Sequence, residues 1–196
     1  MTDTPSDDKP VEDQHLQPGL LVASPQLKDP FFAKTVVLLC RHEEDGAMGL
    51  VINRSTNMEM GSVLKDLSVD PARYADKSVM WGGPVEPGRG TLVFRGGMVQ
   101  TADALELSER ISVSGSLEVL EQLIDVREGN DDWFLSLGYA GWGPGQLDRE
   151  IQEGSWIVLP LDHHTIFEQP VDERYDRCIA TLGVDAAMIF MTPIDE

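Results

Sequence analysis

The stretch that most constrains this chain is residues 35–54, TVVLLCRHEEDGAMGLVINR. Residues 36–39 form an unbroken, β-branched apolar run, which predicts a strand buried on both faces. A polar segment, residues 42–45, and Gly46 separate this run from a second β-prone run that begins at Gly49. Two such runs joined by a short acidic loop predict a β-hairpin, although the loop is longer than the tightest hairpin turns. We therefore expect this hairpin to lie at the centre of the fold.

The remaining chain alternates between strand and helix patterns. Further strands are predicted at residues 20–23, 79–81, 91–94, 111–113, 133–137, 156–159 and 187–190. Helices are predicted at residues 60–67, from Ser116 to a stop at 128–130, from Pro144 to Gly154, and at 172–182. The strands at 79–81 and 91–94 are expected to pair with each other. Strands that arrive in pairs before each helix predict an α+β fold, with a mixed, mainly antiparallel sheet packed against several helices.

The N-terminal residues 1–15 differ in composition from the rest of the chain. They contain five acids, one lysine and two prolines, and almost no apolar side chains. Such a segment cannot bury enough apolar surface to offset the entropy of ordering. We therefore predict a disordered acidic tail at 1–15 and one domain at 16–196. The start lacks a signal-peptide pattern and no apolar run reaches membrane-span length, so a cytoplasmic location is expected.

The charge balance is strongly acidic. The formal net charge is −19 and the sequence pI is about 4.4. A chain of this charge repels both a phosphate backbone and an anionic membrane surface. We therefore expect no direct generic nucleic-acid binding and no membrane partner, which leaves a protein or a small molecule of unknown identity.

Several segments together resemble the AlgH/YqgE family of bacterial proteins. They span nearly the whole domain and read LLVASPQLKDPFF, VVLLCRHEEDGAMGLVINR, GGPV, LGYAGWGPGQLDREI, SWIVLP and RYDRCIATLGVD. The resemblance implies an α+β fold and a regulatory association, since members are often labelled transcriptional regulators. It carries over no catalytic residue.

Cys40 and His42 are the first candidate for chemistry. Residues i and i+2 of a strand share a face, so the thiol and the imidazole are expected to be neighbours. A nearby imidazolium would lower the thiol pKa and favour a reactive or sensing thiolate. The acidic residues Glu43, Glu44 and Asp45 would act in the opposite direction. A buried, inert cysteine is the competing interpretation.

Two glycine-rich segments are the second candidate. A strand, a glycine-rich turn and a helix start are expected at 138–145, an arrangement that binds anions in other proteins. The spacing matches neither the P-loop nor the dinucleotide fingerprint, and close packing around a tryptophan is the alternative. The 82–84 segment invites the same interpretation. The candidate ligand-binding residues are Gly82, Gly83, Gly138, Tyr139, Gly141, Trp142 and Gly145.

The remaining polar clusters predict neither a metal site nor a cofactor. Asp162, His163, His164 and Glu168 lack the spacing of a zinc site, and a surface loop is expected there. Cys40 and Cys178 form no disulfide framework by spacing.

The sequence therefore favours a non-enzymatic protein that binds a partner or ligand. The first alternative is a redox- or ligand-responsive protein that uses Cys40 with the 138–145 turn. The second is a hydrolase of unrecognised type, since catalytic groups meet in space rather than in sequence.

We predict that the protein does not bind generic duplex DNA, because an acidic chain releases few counterions from the phosphate backbone. A mobility-shift titration at about 150 mM salt should show no complex with unrelated sequences. Submicromolar, salt-sensitive binding would contradict this expectation and would make a direct regulatory contact with DNA the better interpretation.

Overall fold

The computed structural model describes residues 15–66, 70–74, 77–125 and 132–183. Residues 1–14 of the predicted tail, the predicted helix stop at 128–130 and the predicted strand at 187–190 lie outside these ranges. Within them the chain forms a single α+β domain of ten strands and five α-helices, which confirms the predicted fold class. No helix in these ranges is long and apolar enough to cross a membrane.

The helices and strands follow one another along the described chain. The strands are β1 Gly19–Ala23, β2 Val36–Glu43, β3 Gly46–Val51, β4 Ser55–Glu59, β5 Ser78–Trp81, β6 Val85–Arg95, β7 Leu105–Ser108, β8 Ile111–Ser114, β9 Trp133–Trp142 and β10 Trp156–Pro160. The helices are α1 Met60–Val63, α2 Leu117–Asp125, α3 Gln146–Gln152, α4 His163–Phe167 and α5 Arg174–Thr181. Short 3₁₀ turns cover Leu64–Asp66 and Pro71–Tyr74.

The strands form one sheet in the order β10-β1-β2-β3-β9-β6-β8-β7, with β5 attached to β9 and β4 to β5. The β5–β9 pair is parallel. The other pairs in the described chain are antiparallel, so the sheet is mixed and mainly antiparallel as predicted. Strand β9 contacts β3, β5 and β6 and is the element through which the two halves of the sheet meet.

The predicted hairpin is present as β2 and β3, but its loop is tighter than expected. Glu43 pairs with Gly46, so the turn contains only two residues. Strand β2 continues through its polar end because Arg41 and Glu43 point to solvent while His42 points inward. A register shift between Leu39 and Arg41 makes Cys40 the extra residue of a β-bulge.

Other expectations need correction. The strands at 79–81 and 91–94 do not pair, because β9 lies between β5 and β6. The sequence pattern missed β4, which is largely exposed, and β7. The helix expected at 60–67 has only one α-helical turn before a 3₁₀ turn. In α2, Leu117 is 60% exposed and Val119 is buried in its place.

Two hydrophobic cores lie against the sheet. The first joins β1, β2 and β3 to Leu147 of α3, Ile166 of α4 and Tyr175 of α5. The second joins β5, β6 and β9 to Met60 of α1 and Leu123 of α2. Strand β6 contributes to both cores, with Val93 in the first and Leu92 and Phe94 in the second.

The glycine-rich turn predicted at 138–145 is mostly a strand. Residues 138–142 belong to β9, and only the next three residues form the turn before α3. Gly138 has a φ of +71°, and a Cβ there would lie 2.4 Å from the carbonyl oxygen of Gly83. The Gly82 N–H donates to the Leu137 carbonyl at 2.7 Å. The two glycine segments thus pack directly against each other, and their glycines permit backbone contact between neighbouring chain segments.

We predict that Gly138→Ala destabilises the protein by about 2–5 kcal/mol, combining left-handed backbone strain with overpacking. Gly88→Ala is the matched control, since a Cβ there meets nothing within 4 Å. Chemical denaturation should show a change within about 0.5 kcal/mol for the control. Equal stability of both variants would disprove the backbone-contact explanation.

Candidate functional site

One face of the β2–β3–β9 segment lies against helix α3. Because paired residues share a face, His42, Ala47 and Trp142 form a row across the three strands. Glu150 of α3 accepts hydrogen bonds from the indole N–H groups of Trp142 at 2.9 Å and Trp156 at 2.8 Å. These contacts fix the helix on the sheet, so this face is structural.

His42 belongs to this structural face. Its Nδ1 accepts the backbone N–H of Leu16 at 2.9 Å, and its Nε2 lies 3.3 Å from Oδ2 of Asp148. Because Nδ1 accepts, the ring proton is on Nε2, the nitrogen that faces Asp148. The ring of His15, a residue predicted to belong to the tail, packs edge-on against it with centroids 5.5 Å apart. Both ring nitrogens of His42 are thus engaged by groups other than the Cys40 thiol.

Cys40 lies in the first core and is 4% exposed. Its Sγ is 3.5 Å from the carbonyl oxygen of Leu38. Burial raises the pKa of the Cys40 thiol to about 12. This environment favours the protonated thiol and disfavours a thiolate.

The opposite face of the same three strands carries an open cleft of about 650 Å³. Arg41 pairs with Met48, and Met48 pairs with Gly141, so these residues form its floor. Gly141 is exposed and contributes no side chain. Tyr139 lies two residues earlier on the same strand and therefore on the same face.

The walls of the cleft come from Tyr139 and the start of β6. The Arg89 guanidinium carbon lies 5.6 Å from the centroid of the Tyr139 ring. Val85, which is 36% exposed, lines the cleft beside them. Strand β6 pairs with β9 at Val85 and again only at Gly90, so residues 86–89 lie opposite the single residue Gly138 of β9. This longer stretch allows Arg89 to reach the cleft.

The charged groups of the cleft are weakly paired. Arg41 contacts Glu43 at 3.3 Å and Asp45 at 3.7 Å, and Arg89 contacts Glu86 at 3.4 Å. The side chains of Arg41 and Arg89 are 47% and 55% exposed. Exposed pairs of this kind contribute about 0–1 kcal/mol, so a ligand can displace them at little cost.

A second open cleft of about 560 Å³ lies beside the start of α3 and includes Gly145. Glu43, Glu44 and Asp148 line it. These carboxylates oppose the anion binding that the glycine-rich pattern suggested.

The structure separates the predicted site residues into three groups. Tyr139, Gly141 and Trp142 line the larger cleft, although Trp142 is only 6% exposed. Gly145 lies in the second cleft. The remaining residues, Gly82, Gly83, Gly138, Cys40 and His42, are buried in the packing of the strands. A reactive role for Cys40 and His42 stays a prediction.

Sequence reasoning missed Arg41, Met48, Val85 and Arg89 of the larger cleft. The available signal was the position of Arg41 beside the acidic residues 43–45, and of Arg89 in a glycine- and proline-rich segment. The loop expected around His163 and His164 is helix α4. Asp162 is the N-cap of this helix and accepts hydrogen bonds from the backbone N–H groups of His164 and Thr165. An aspartate before a short apolar segment is a helix-start signal, and the sequence interpretation, which weighed metal binding by the histidines against a surface loop, did not use it.

Known proteins show extensive similarity to this chain. A relative from Methylococcus capsulatus, UPF0301 protein MCA2336 2, is 39% identical over 180 residues, which cover 91% of this chain and 95% of the relative. UPF0301 protein NMC1274 from Neisseria meningitidis is 36% identical over 178 residues, covering 90% and 96% of the two chains.

Solved structures and a family model extend this similarity. The solution structure of AlgH from Pseudomonas aeruginosa matches with a TM-score of 0.73 and 34% identity over 100% of both chains. A crystal structure of protein DIP2367 from Corynebacterium diphtheriae shares the fold, with a TM-score of 0.70 at 21% identity over 88% and 91% of the two chains. The family model described as AlgH-like, DUF179, matches residues 20–187. The chain therefore belongs to the AlgH-like family.

Proposed function

We propose that this protein acts in the cytoplasm without catalysing a reaction, by binding a ligand in the cleft framed by Arg41, Tyr139 and Arg89. The observation that carries the proposal is the open floor at Gly141, in a cleft whose floor comes from β2, β3 and β9 and whose walls come from Tyr139 and the start of β6. A volume of about 650 Å³ lies within the range of small-molecule sites, about 300–1,000 Å³. The regulatory association of the family supports a role in which a partner recognises the ligand-bound form of this protein.

The composition of the cleft supports recognition. Its polar side chains supply two guanidiniums, one carboxylate and one phenol, and Met48 and Val85 supply apolar surface. A few polar groups set among apolar surface are typical of sites that fix the orientation of a ligand. The floor is formed by paired strands, so binding requires little reordering of the floor.

The experiment is a fragment screen by two-dimensional NMR with the full-length protein labelled with ¹⁵N. We expect fragments to shift the amide signals of residues 46–48 and 139–142, and Gly141→Leu to abolish these shifts by filling the floor. Gly88→Ala, which places its Cβ in open space, is the matched control and should bind as the unmodified protein does. A screen in which no fragment shifts these signals would contradict the proposal.

The alternative that uses Cys40 as a redox or ligand sensor has less support. The thiol lies in the first core, whereas the cleft is on the outer face of the sheet. Its bulge also interrupts the strand alternation on which the expected pairing with His42 depended.

We predict slow alkylation of Cys40 by iodoacetamide at about pH 7, since a thiol with a raised pKa supplies almost no thiolate. The measurement uses a Cys178→Ala background so that a single thiol reports. Denaturant should accelerate the reaction strongly by exposing Cys40. An alkylation rate that titrates with an apparent pKa of about 6 in the native protein would restore the sensing alternative.

A further inference from the structure

The floor of the cleft has a gap at Gly141, where it lacks a side chain, although the backbone conformation there does not require a glycine. Gly141 lies on an exposed strand face and has no left-handed φ, in contrast to Gly138. The atoms nearest to a Cβ at position 141 would be two carbons of the Tyr139 ring, at 3.2 Å and 3.7 Å, and Cγ2 of Val85 at 3.8 Å. Flexible side chains can yield to such a contact, whereas a carbonyl oxygen at 2.4 Å from a Cβ on Gly138 cannot. A Cβ at position 141 therefore requires only a small shift of the Tyr139 ring, and the absence of a side chain keeps the floor open.

The surfaces around this gap are flat and partly apolar. The Tyr139 ring stands next to the gap and is covered on one side by the Arg89 guanidinium. The Met48 thioether and the Val85 side chain complete the apolar part of the lining. Aromatic rings, methionine sulfur and guanidinium planes all make favourable contacts with a flat aromatic group. The gap thus has the contact surfaces that an aromatic ring prefers.

The charged side chains of the cleft indicate which chemical group the ligand carries besides an aromatic ring. Arg41 and Arg89 enter the cleft from different strands, and the ion pairs that each makes within the described residues are exposed and local. Guanidiniums bind carboxylate and phosphate oxygens through two parallel hydrogen bonds. Asp45 also lines the cleft beside Arg41 and would repel a second anionic group. One compact anion therefore fits this arrangement better than a polyanion.

We propose that the cleft binds a flat aromatic ring that carries one compact anionic group, either a carboxylate or a phosphate. The ring lies over Gly141 against Tyr139, and the anion contacts Arg41 and Arg89. This inference rests on the proposed function and names the chemical class of its ligand. An aromatic carboxylate and a nucleoside monophosphate share this chemistry, and the experiment separates them.

The experiment compares matched probes by calorimetry and NMR with the full-length protein. Indole-3-acetate is compared with indole-3-acetamide, and adenosine 5′-monophosphate with adenosine. Acetate and inorganic phosphate test the anion without a ring. We expect at least one aromatic anion to bind about tenfold or more tightly than its neutral partner, the scale of a charge-assisted hydrogen bond. The tighter of the two anions identifies the carboxylate or the phosphate arm.

Three variants locate the binding. Gly141→Leu should abolish it, Arg41→Gln and Arg89→Gln should each remove most of the preference for the anion over the neutral probe, and Gly88→Ala should leave both unchanged. The arginine variants alter exposed side chains, so they test the inference even if Gly141→Leu does not fold. Equal binding of anionic and neutral probes, or anion binding that survives all three variants, would overturn the inference. Cleft binding by fragments without any anion preference would overturn it while leaving the proposed function intact, whereas no cleft binding at all would overturn both.

Discussion

Backbone contact around Gly82 joins the two halves of the sheet. Its N–H donates to Leu137 of β9 at 2.7 Å, and its carbonyl accepts the N–H of Val51, at the end of β3, at 2.9 Å. A Cβ at this position would lie 2.3 Å from the Gly138 carbonyl oxygen. Without side chains at Gly82 and Gly138, β9 can approach β5 at one end and β3 at the other. Strand β9 contributes to both cores, through Trp142 to the first and Trp133 to the second.

The same geometry creates the cleft. Strand β9 alternates beyond the glycine contact, so Tyr139 and Gly141 face outward while Trp142 is buried against Phe32 and Trp156. Residues 86–89 of β6 do not pair with β9, and this unpaired stretch places Arg89 over the Tyr139 ring. Helix α3 covers the inner face through Glu150 and leaves the outer face open. Close backbone packing at Gly138 is thus followed, three residues further along β9, by the open floor at Gly141.

Local patterns predicted much of the fold and little of the site. The hairpin and most of the apolar stripe of α2 follow from periodicity within a few residues, and both are present. The placement of β9 between β5 and β6 depends on contacts between distant residues, which no local pattern encodes. The glycines at 82 and 138 lie in backbone packing rather than in the cleft, and sequence alone does not separate these roles because packing and ligand binding can require the same residue type. Arg89 lines the same cleft as Arg41 because residues 86–89 are not paired with β9, which hydrophobic periodicity does not reveal.

The acidity of the chain and the two arginines of the cleft act at different distances. A net charge of −19 lowers the rate at which any anion approaches the protein. At physiological salt the screening length is about 8 Å, so distant carboxylates contribute little inside the cleft. Within it the guanidiniums of Arg41 and Arg89 and the carboxylate of Asp45 are the nearest charges to a bound ligand. For the ligand proposed here, the overall charge would therefore act mainly on the association rate, and the two guanidiniums on the dissociation rate.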